Sequence, residues 1–183
     1  MANREKALRL RLKQLYIDDT FEPLAHGPIS STLGYAPSAY SELYLFDTFE
    51  GFDKRDISVE RNNSYSEELA GHLNITGEQL VLSKLPHPDM CVILKGYFPE
   101  TAEGIDEEFC FVNLDFDLYK PILAGLEFFV PRMVRGGVIL IHDYFNPGYL
   151  GVKEAIKAFE DKCGSLSLFP IGDGSSIAIT PRC

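Results

Sequence analysis

An α/β domain on a mostly parallel sheet, closed by an antiparallel C-terminal strand pair, is the fold class the sequence predicts. Three features carry that prediction. Short runs that are almost wholly apolar, LYLF (43–46), MCVIL (90–94), FCFVNL (109–114) and VILI (138–141), read as strands buried on both faces. Stretches of helical period separate them, which is the alternation of a parallel sheet covered by helices. The 183 residues, 45% apolar and 24% charged, suit one domain with a real core and not a disordered chain.

Each element can be justified in turn. Residues 2–16 read as a helix, with Leu8, Leu12 and Leu15 on one face and basic side chains on the other. Residues 17–41 hold Pro23, Gly27, Pro28, Gly34 and Pro37, show neither period, and read as irregular. LYLF is then a buried strand ended by Asp47. Residues 64–71, with Ser64 as a cap, and 76–85, opened by Thr76, read as helices. The strand at 90–94 leads into Lys95, Gly96, Tyr97, Phe98 and Pro99, and the strand at 109–114 ends at Asp115. Pro121 suits the first turn of a helix that buries Ile122, Leu126, Phe129 and Val130. Gly136 and Gly137 turn the chain into VILI, which ends at His142 and Asp143. A helix over about 149–162 carries Val152, Ala155, Ile156 and Phe159 on one face. Residues 166–169 and 175–180 pair antiparallel across Gly172, Asp173 and Gly174.

Charge narrows the partners. The chain has 27 acidic against 17 basic residues, a net charge of −10, which argues against nucleic acid as a partner. The basic side chains Arg4, Lys6, Arg9, Arg11 and Lys13 cluster at the start against Glu5 alone. A basic helix on an acidic body fits docking or self-association into a homo-oligomer better than a membrane surface. Arg9, Arg11 and Lys13 interrupt the leucines that a signal peptide would need, and no run approaches the roughly 18 apolar residues of a membrane span. Cys91, Cys110, Cys163 and Cys183 are scattered without metal-type spacing, as expected of reduced thiols in a cytoplasmic protein.

Three strands end in acid, at Asp47, Asp115 and Asp143. Open parallel sheets bind ligands beyond the carboxyl ends of their strands, so these acids are expected to converge on one crevice. Two carboxylates from adjacent strand ends suit a hard cation such as Mg²⁺. If His142 joins them, its nitrogen suits Mn²⁺, Fe²⁺ or Zn²⁺ better. The competing reading makes Asp117 a helix cap, Asp143 half of an ion pair and His142 a backbone-bonded residue. Asp47 fits a carboxylate that accepts ribose hydroxyls of a nucleotide, or one that caps the turn after it. No cysteine stands beside a histidine at a strand end, and no G-x-S-x-G elbow is present.

Five blocks then resemble the macrocin O-methyltransferase family of class I S-adenosylmethionine-dependent methyltransferases. They are LYLFDTFEGF (43–52), KGYFPET (95–101), VNLDFDLYKP (112–121), RGGVILIHDY (135–144) and GVKEAIKAF (151–159), in family order over about residues 42–180. The resemblance implies a Rossmann-like sheet domain over 42–183, preceded by the basic helix and irregular segment of 1–41. It also implies methyl transfer from S-adenosylmethionine to a hydroxyl of a sugar or natural-product-like small molecule, with bound Mg²⁺ or another divalent ion. By position Asp47 resembles the ribose ligand, Gly96, Tyr97 and Phe98 the cofactor loop, Asp115 and Asp143 metal ligands, and Asp117 the general base. His142 stands where the family has an aspartate.

The chain departs from the family upstream. The glycine-rich turn after the first strand is expected near residues 22–34, where EPLAHGPISSTLG shows neither an apolar strand nor paired glycines. The first strand and its loop are therefore expected to be missing or rewritten, and the cofactor to bind at a Kd above about 100 μM. A non-catalytic binding or assembly module that keeps the fold without the cofactor loop is the alternative function. A metal-dependent hydrolase is the third reading, and the block-wide resemblance disfavours it.

Overall fold

The computed structural model describes residues 13–18, 42–74, 77–85, 87–181. One seven-stranded sheet organises them: β1 (Lys13–Asp18), β2 (Glu42–Asp47), β3 (Cys91–Lys95), β4 (Phe109–Asp115), β5 (Met133–Ile141), β6 (Leu168–Pro170) and β7 (Ile177–Ile179), in the order β3-β2-β1-β4-β5-β7-β6. The first five strands are mutually parallel, and β7 runs antiparallel to both β5 and β6.

Two expectations at the N-terminal end are corrected here. Residues 13–16 belong to a strand, not to a helix, and the first strand of the sheet is present. β1 pairs with β2 on one side and with β4 on the other, bringing Asp18 opposite Asp115 in register. Parallel pairing on both sides satisfies its backbone groups, which outweighs the helical spacing of three leucines. The sheet therefore crosses the boundary expected at 41/42. The remainder of the expected helix, residues 2–12, and the window 22–34 lie outside the described residues.

Helices α1 (Lys54–Asn63), α2 (Glu78–Lys84), α3 (Tyr119–Phe129) and α4 (Leu150–Cys163) follow strands or loops of the sheet. The expected helix at 64–71 is absent. The helix instead precedes it, opened by Asp53, whose Oδ1 accepts the Arg55 backbone N–H at 2.7 Å. Ser64 ends it in the left-handed region, φ 56°, donating its N–H to Arg61 and Glu60 carbonyls. α2, α3, α4 and the C-terminal pair stand close to their expected places.

Alternation along β2 shows how the sheet is covered. Tyr44 and Phe46 join the main core with Phe109, Leu126, Phe129 and Ile139. Leu43 and Leu45 face the other way, against Val81 of α2. α3 and α4 bury Ile122, Leu126, Phe129, Val152, Ile156 and Phe159 on the main-core side. Gly125 lets α3 approach β4 closely, since a Cβ there would meet Leu114 Cδ2 at 3.0 Å. Among the described residues no helix is long and apolar enough to cross a membrane.

Candidate functional site

Asp47 ends β2 and its Oδ1 accepts the Phe49 backbone N–H at 2.7 Å. Burial pushes its carboxyl up to about 6, against the opposing pull of that N–H and of Lys95. Gly96 follows β3 and donates its N–H to the Asp47 carbonyl at 2.9 Å, which locks the two strand ends together. Asp47, Gly96, Tyr97 and Phe98 all line one cleft, with Phe116 and Leu118 beyond them.

Sequence reasoning missed the far wall of that cleft. Asp53 and Asp56 of the α1 region line it too. The Tyr97 hydroxyl donates to Asp56 Oδ1 at 2.7 Å, and the Arg55 guanidinium lies 3.6 Å from the Tyr97 ring centroid. Lys120 Nζ stands 3.4 Å from the same Asp56 oxygen. Burial raises the Asp56 carboxyl, while the Tyr97 hydrogen bond and Lys120 oppose the rise. The signal was the D-K-R-D spacing of Asp53 and Asp56, which is that of a cap and a first-turn acid.

The acids after β4 and β5 form a second centre. Asp115, Asp117, His142 and Asp143 each bring one donor atom within 4.8 Å of the others. His142 Nδ1 stands 3.0 Å from Asp115 Oδ1 and 3.0 Å from Asp143 Oδ2. These two carboxylates hold the imidazolium, raising His142 to about 10. Burial pushes Asp143 up, but its hydrogen bonds with His142, Asp117 and Asn146 outweigh it and hold Asp143 below the usual carboxylate range. Burial dominates at Asp115 and raises it, against His142.

Asp117 lies in the loop between β4 and α3, buried at 6% exposure and hydrogen-bonded to Asp143. Asn146 Nδ2 and Ser175 Oγ donate to Asp143 Oδ1 at 2.8 and 3.3 Å, two partners the sequence did not disclose. Three carboxylates and an imidazole, each with a donor atom within 4.8 Å of the others, could hold a divalent ion once His142 gives up its proton, and the nitrogen would favour Mn²⁺, Fe²⁺, Co²⁺ or Zn²⁺ over Mg²⁺.

A groove opens between 61–72 and 147–150, walled by Arg61, Tyr65, Glu67, His72, Pro147 and Leu150. Tyr149 links it to the acids. Its hydroxyl donates to Glu68 Oε1 at 2.9 Å, and Glu68 is itself paired with His72. Burial, the Asp117 charge and Glu68 keep the phenol protonated.

The sequence model of the macrocin O-methyltransferase family (TylF) matches residues 28–166. A comparison with curated proteins returns no match. The calicheamicin methyltransferase CalS11 superposes with a TM-score of 0.64 at 20% identity, over 97% of this chain and 75% of that one. The O-methyltransferase NovP gives 0.63 at 18% identity, over 85% of this chain and 64% of that one. A putative rRNA-methylase from Clostridium thermocellum gives 0.55 at 13% identity, over 98% and 94%. The chain thus spans three quarters of CalS11 and less than two thirds of NovP, and identities this low establish the shared fold alone. Three quarters of the chain lies inside the family match, and the chain belongs to the macrocin O-methyltransferase family, a family of O-methyltransferases.

Proposed function

We propose that this protein transfers a methyl group from S-adenosylmethionine to a hydroxyl of a sugar or natural-product-like small molecule, assisted by a divalent ion, as a homo-oligomer in the cytoplasm. The observation that carries the reading is the meeting of Asp115, Asp117, His142 and Asp143 beyond the carboxyl ends of β4 and β5, with the Asp47 cleft on the same edge of the sheet. When bound, the cofactor supplies the methyl group and the ion supplies Lewis acidity that lowers the pKa of the acceptor hydroxyl.

The chain's own residues do the rest. Asp47 offers its carboxylate to the ribose hydroxyls, and Gly96, Tyr97 and Phe98 wall the cleft beside it. Asp115, His142 and Asp143 would hold the ion, and Asp117, once the proton it shares with Asp143 has left with ion binding, would take the hydroxyl proton. The groove between 61–72 and 147–150 receives the acceptor, and the phenol of Tyr149, donating to Glu68, fixes that wall. Alignment of oxygen, methyl and sulfur is the larger contribution, since positioning alone lowers such barriers by several kcal/mol.

The expectation of weak cofactor binding rested on an unreadable glycine turn at 22–34 as well as on a missing first strand; the strand is present, and the turn's window lies outside the described residues. With β1 in place beside β2 and β4, calorimetric titration with S-adenosylhomocysteine is expected to give a Kd below about 100 μM. No detectable heat would favour the non-catalytic module instead. Metal preference is read in the same instrument. Mn²⁺ is expected to bind at least about tenfold more tightly than Mg²⁺, and His142→Asp to erase most of that difference. Equal affinities in the unaltered protein would remove His142 from the ligand set.

A further inference from the structure

Glu60 is an acid whose burial the proposed reaction does not use. It lies in α1 and is 0% exposed. Its Oε1 accepts the Tyr119 backbone N–H at 2.7 Å, at the first residue of α3. The same carboxylate also faces α4: a Cβ added to Gly151 would lie 2.8 Å from Oε1 and 3.1 Å from Oε2. Neither Leu118 nor Tyr149, the residues that open these two helices, makes a side-chain cap hydrogen bond. One carboxylate thus caps the N-terminus of α3 by a hydrogen bond and lies against the first turn of α4, where helix dipoles favour an anion.

What these helix ends carry gives the contact its meaning. Asp117 lies two residues before Tyr119, and the turn between them is closed by Leu118 N–H on the Phe116 carbonyl at 2.5 Å. Asp143 begins the loop that enters α4 through Asn146 and Tyr149, each bonded to the residue three before it. Leu150, the first residue of α4, donates its N–H to the Tyr65 carbonyl just past the end of α1, at 3.0 Å. The helix starts that follow both acid-bearing loops are thus tied, one to Glu60 of α1 and the other to Tyr65 just past it.

Burial without full compensation shows that this arrangement has a cost. Glu60 Oε2 and Ser66 Oγ are both buried without a hydrogen-bond partner; Ser66 favours the charged carboxylate by proximity, short of bonding geometry. A glutamine would keep an oxygen for Tyr119 and remove the buried charge, so stability alone does not explain a glutamate here.

We propose that Glu60 is a positioning residue, a buried clamp on the N-terminal ends of α3 and α4 that sets the separation of Asp117 and Asp143. The inference rests on the ion-site reading above for one of its two readouts. The test uses Glu60→Gln, and Gly151→Ala, whose methyl would press on Glu60 and on the Tyr119 backbone nitrogen that Glu60 holds. Mn²⁺ affinity is measured by calorimetry, and hydrogen exchange is followed by mass spectrometry on the metal-free proteins.

Glu60→Gln is expected to weaken Mn²⁺ about tenfold or more, the scale seen when partners behind metal ligands are removed. Exchange should accelerate in 116–120 and 143–151 alone, with the melting temperature within a few degrees of the parent protein. Gly151→Ala should repeat that pattern. Unchanged exchange in both segments overturns the proposal, as does faster exchange spread over the whole sheet, which marks a merely structural glutamate. If the parent protein binds no Mn²⁺, the ion reading fails, and exchange in the two segments still decides Glu60.

Discussion

Asp117 and Asp143 both sit in the left-handed backbone region, at φ 59° and 56°, each just past a strand. Few residues other than glycine tolerate that region, and asparagine is among them. Asp117→Asn is therefore expected to keep the turn and to lower methyl transfer by about 10²–10⁴-fold, the usual contribution of a general base. Single-turnover transfer with labelled cofactor, beside a melting curve, checks it. Asp47 offers a second test through pH. Its folded pKa of about 6 lies above the ordinary 3.8, so the folded protein holds this proton more tightly than the unfolded chain does. The stabilisation from that proton is complete below about pH 4 and is lost as pH rises through about 6. Asp47→Asn keeps an oxygen for the Phe49 N–H and has no proton to lose. Relative to the parent protein the variant should gain stability between pH 4 and 8, by up to about 3 kcal/mol, while losing cofactor affinity. Urea unfolding across that pH range measures the gain, and a flat difference would show that Asp47 is not buried as described.

At the scale of elements, the acid-ended strands were legible because burial on both faces leaves an uninterrupted apolar run, and the terminal acid stands out against it. α1 was not legible. Its sequence KRDISVERNN is polar, and two of its buried residues are carboxylates whose partners, Tyr97 and Tyr119, come from distant segments. Periodicity counts apolar side chains, so a helix buried through paired acids escapes it. The turn before α1 depends on close backbone approach, which is equally silent in the pattern. Gly51 has φ 73°, and a Cβ there would lie 2.1 Å from the His72 carbonyl oxygen. Phe52 N–H on His72 and Gly71 N–H on Phe52 hold the two segments at that distance. Gly51→Ala is expected to cost about 2–4 kcal/mol, because the contact is with backbone that cannot rotate away. Gly71→Ala is the control, with φ 77° and open space around the added methyl, and should cost about 1 kcal/mol. Equal losses in urea unfolding would mean that conformation, not contact, governs this turn.

Across the whole molecule the central strand was the costliest misreading, and its signal was present. Leu15, Tyr16 and Ile17 run into Asp18 as β2 and β4 run into Asp47 and Asp115, but the run is short and follows Lys13 and Gln14. The leucines upstream fit a helical spacing, and that pattern took precedence. The placement of β1 has a consequence larger than its six residues. It is the link between β3-β2 on one side and β4-β5-β7-β6 on the other. No described strand pair other than β1–β2 and β1–β4 joins the two groups. Removing it exposes the facing edges of β2 and β4, two rows of backbone donors and acceptors with no partner, and parts Asp47 from Asp115. A fragment of residues 42–183 is therefore expected to lose cooperative unfolding in urea and its near-ultraviolet circular dichroism, although it keeps all five family blocks. A deletion stopping before Lys13 leaves the described strand whole and should keep a cooperative transition. If the 42–183 fragment unfolds cooperatively with the slope of the full chain, β1 is dispensable to the sheet and the division at 41/42 stands as a domain boundary.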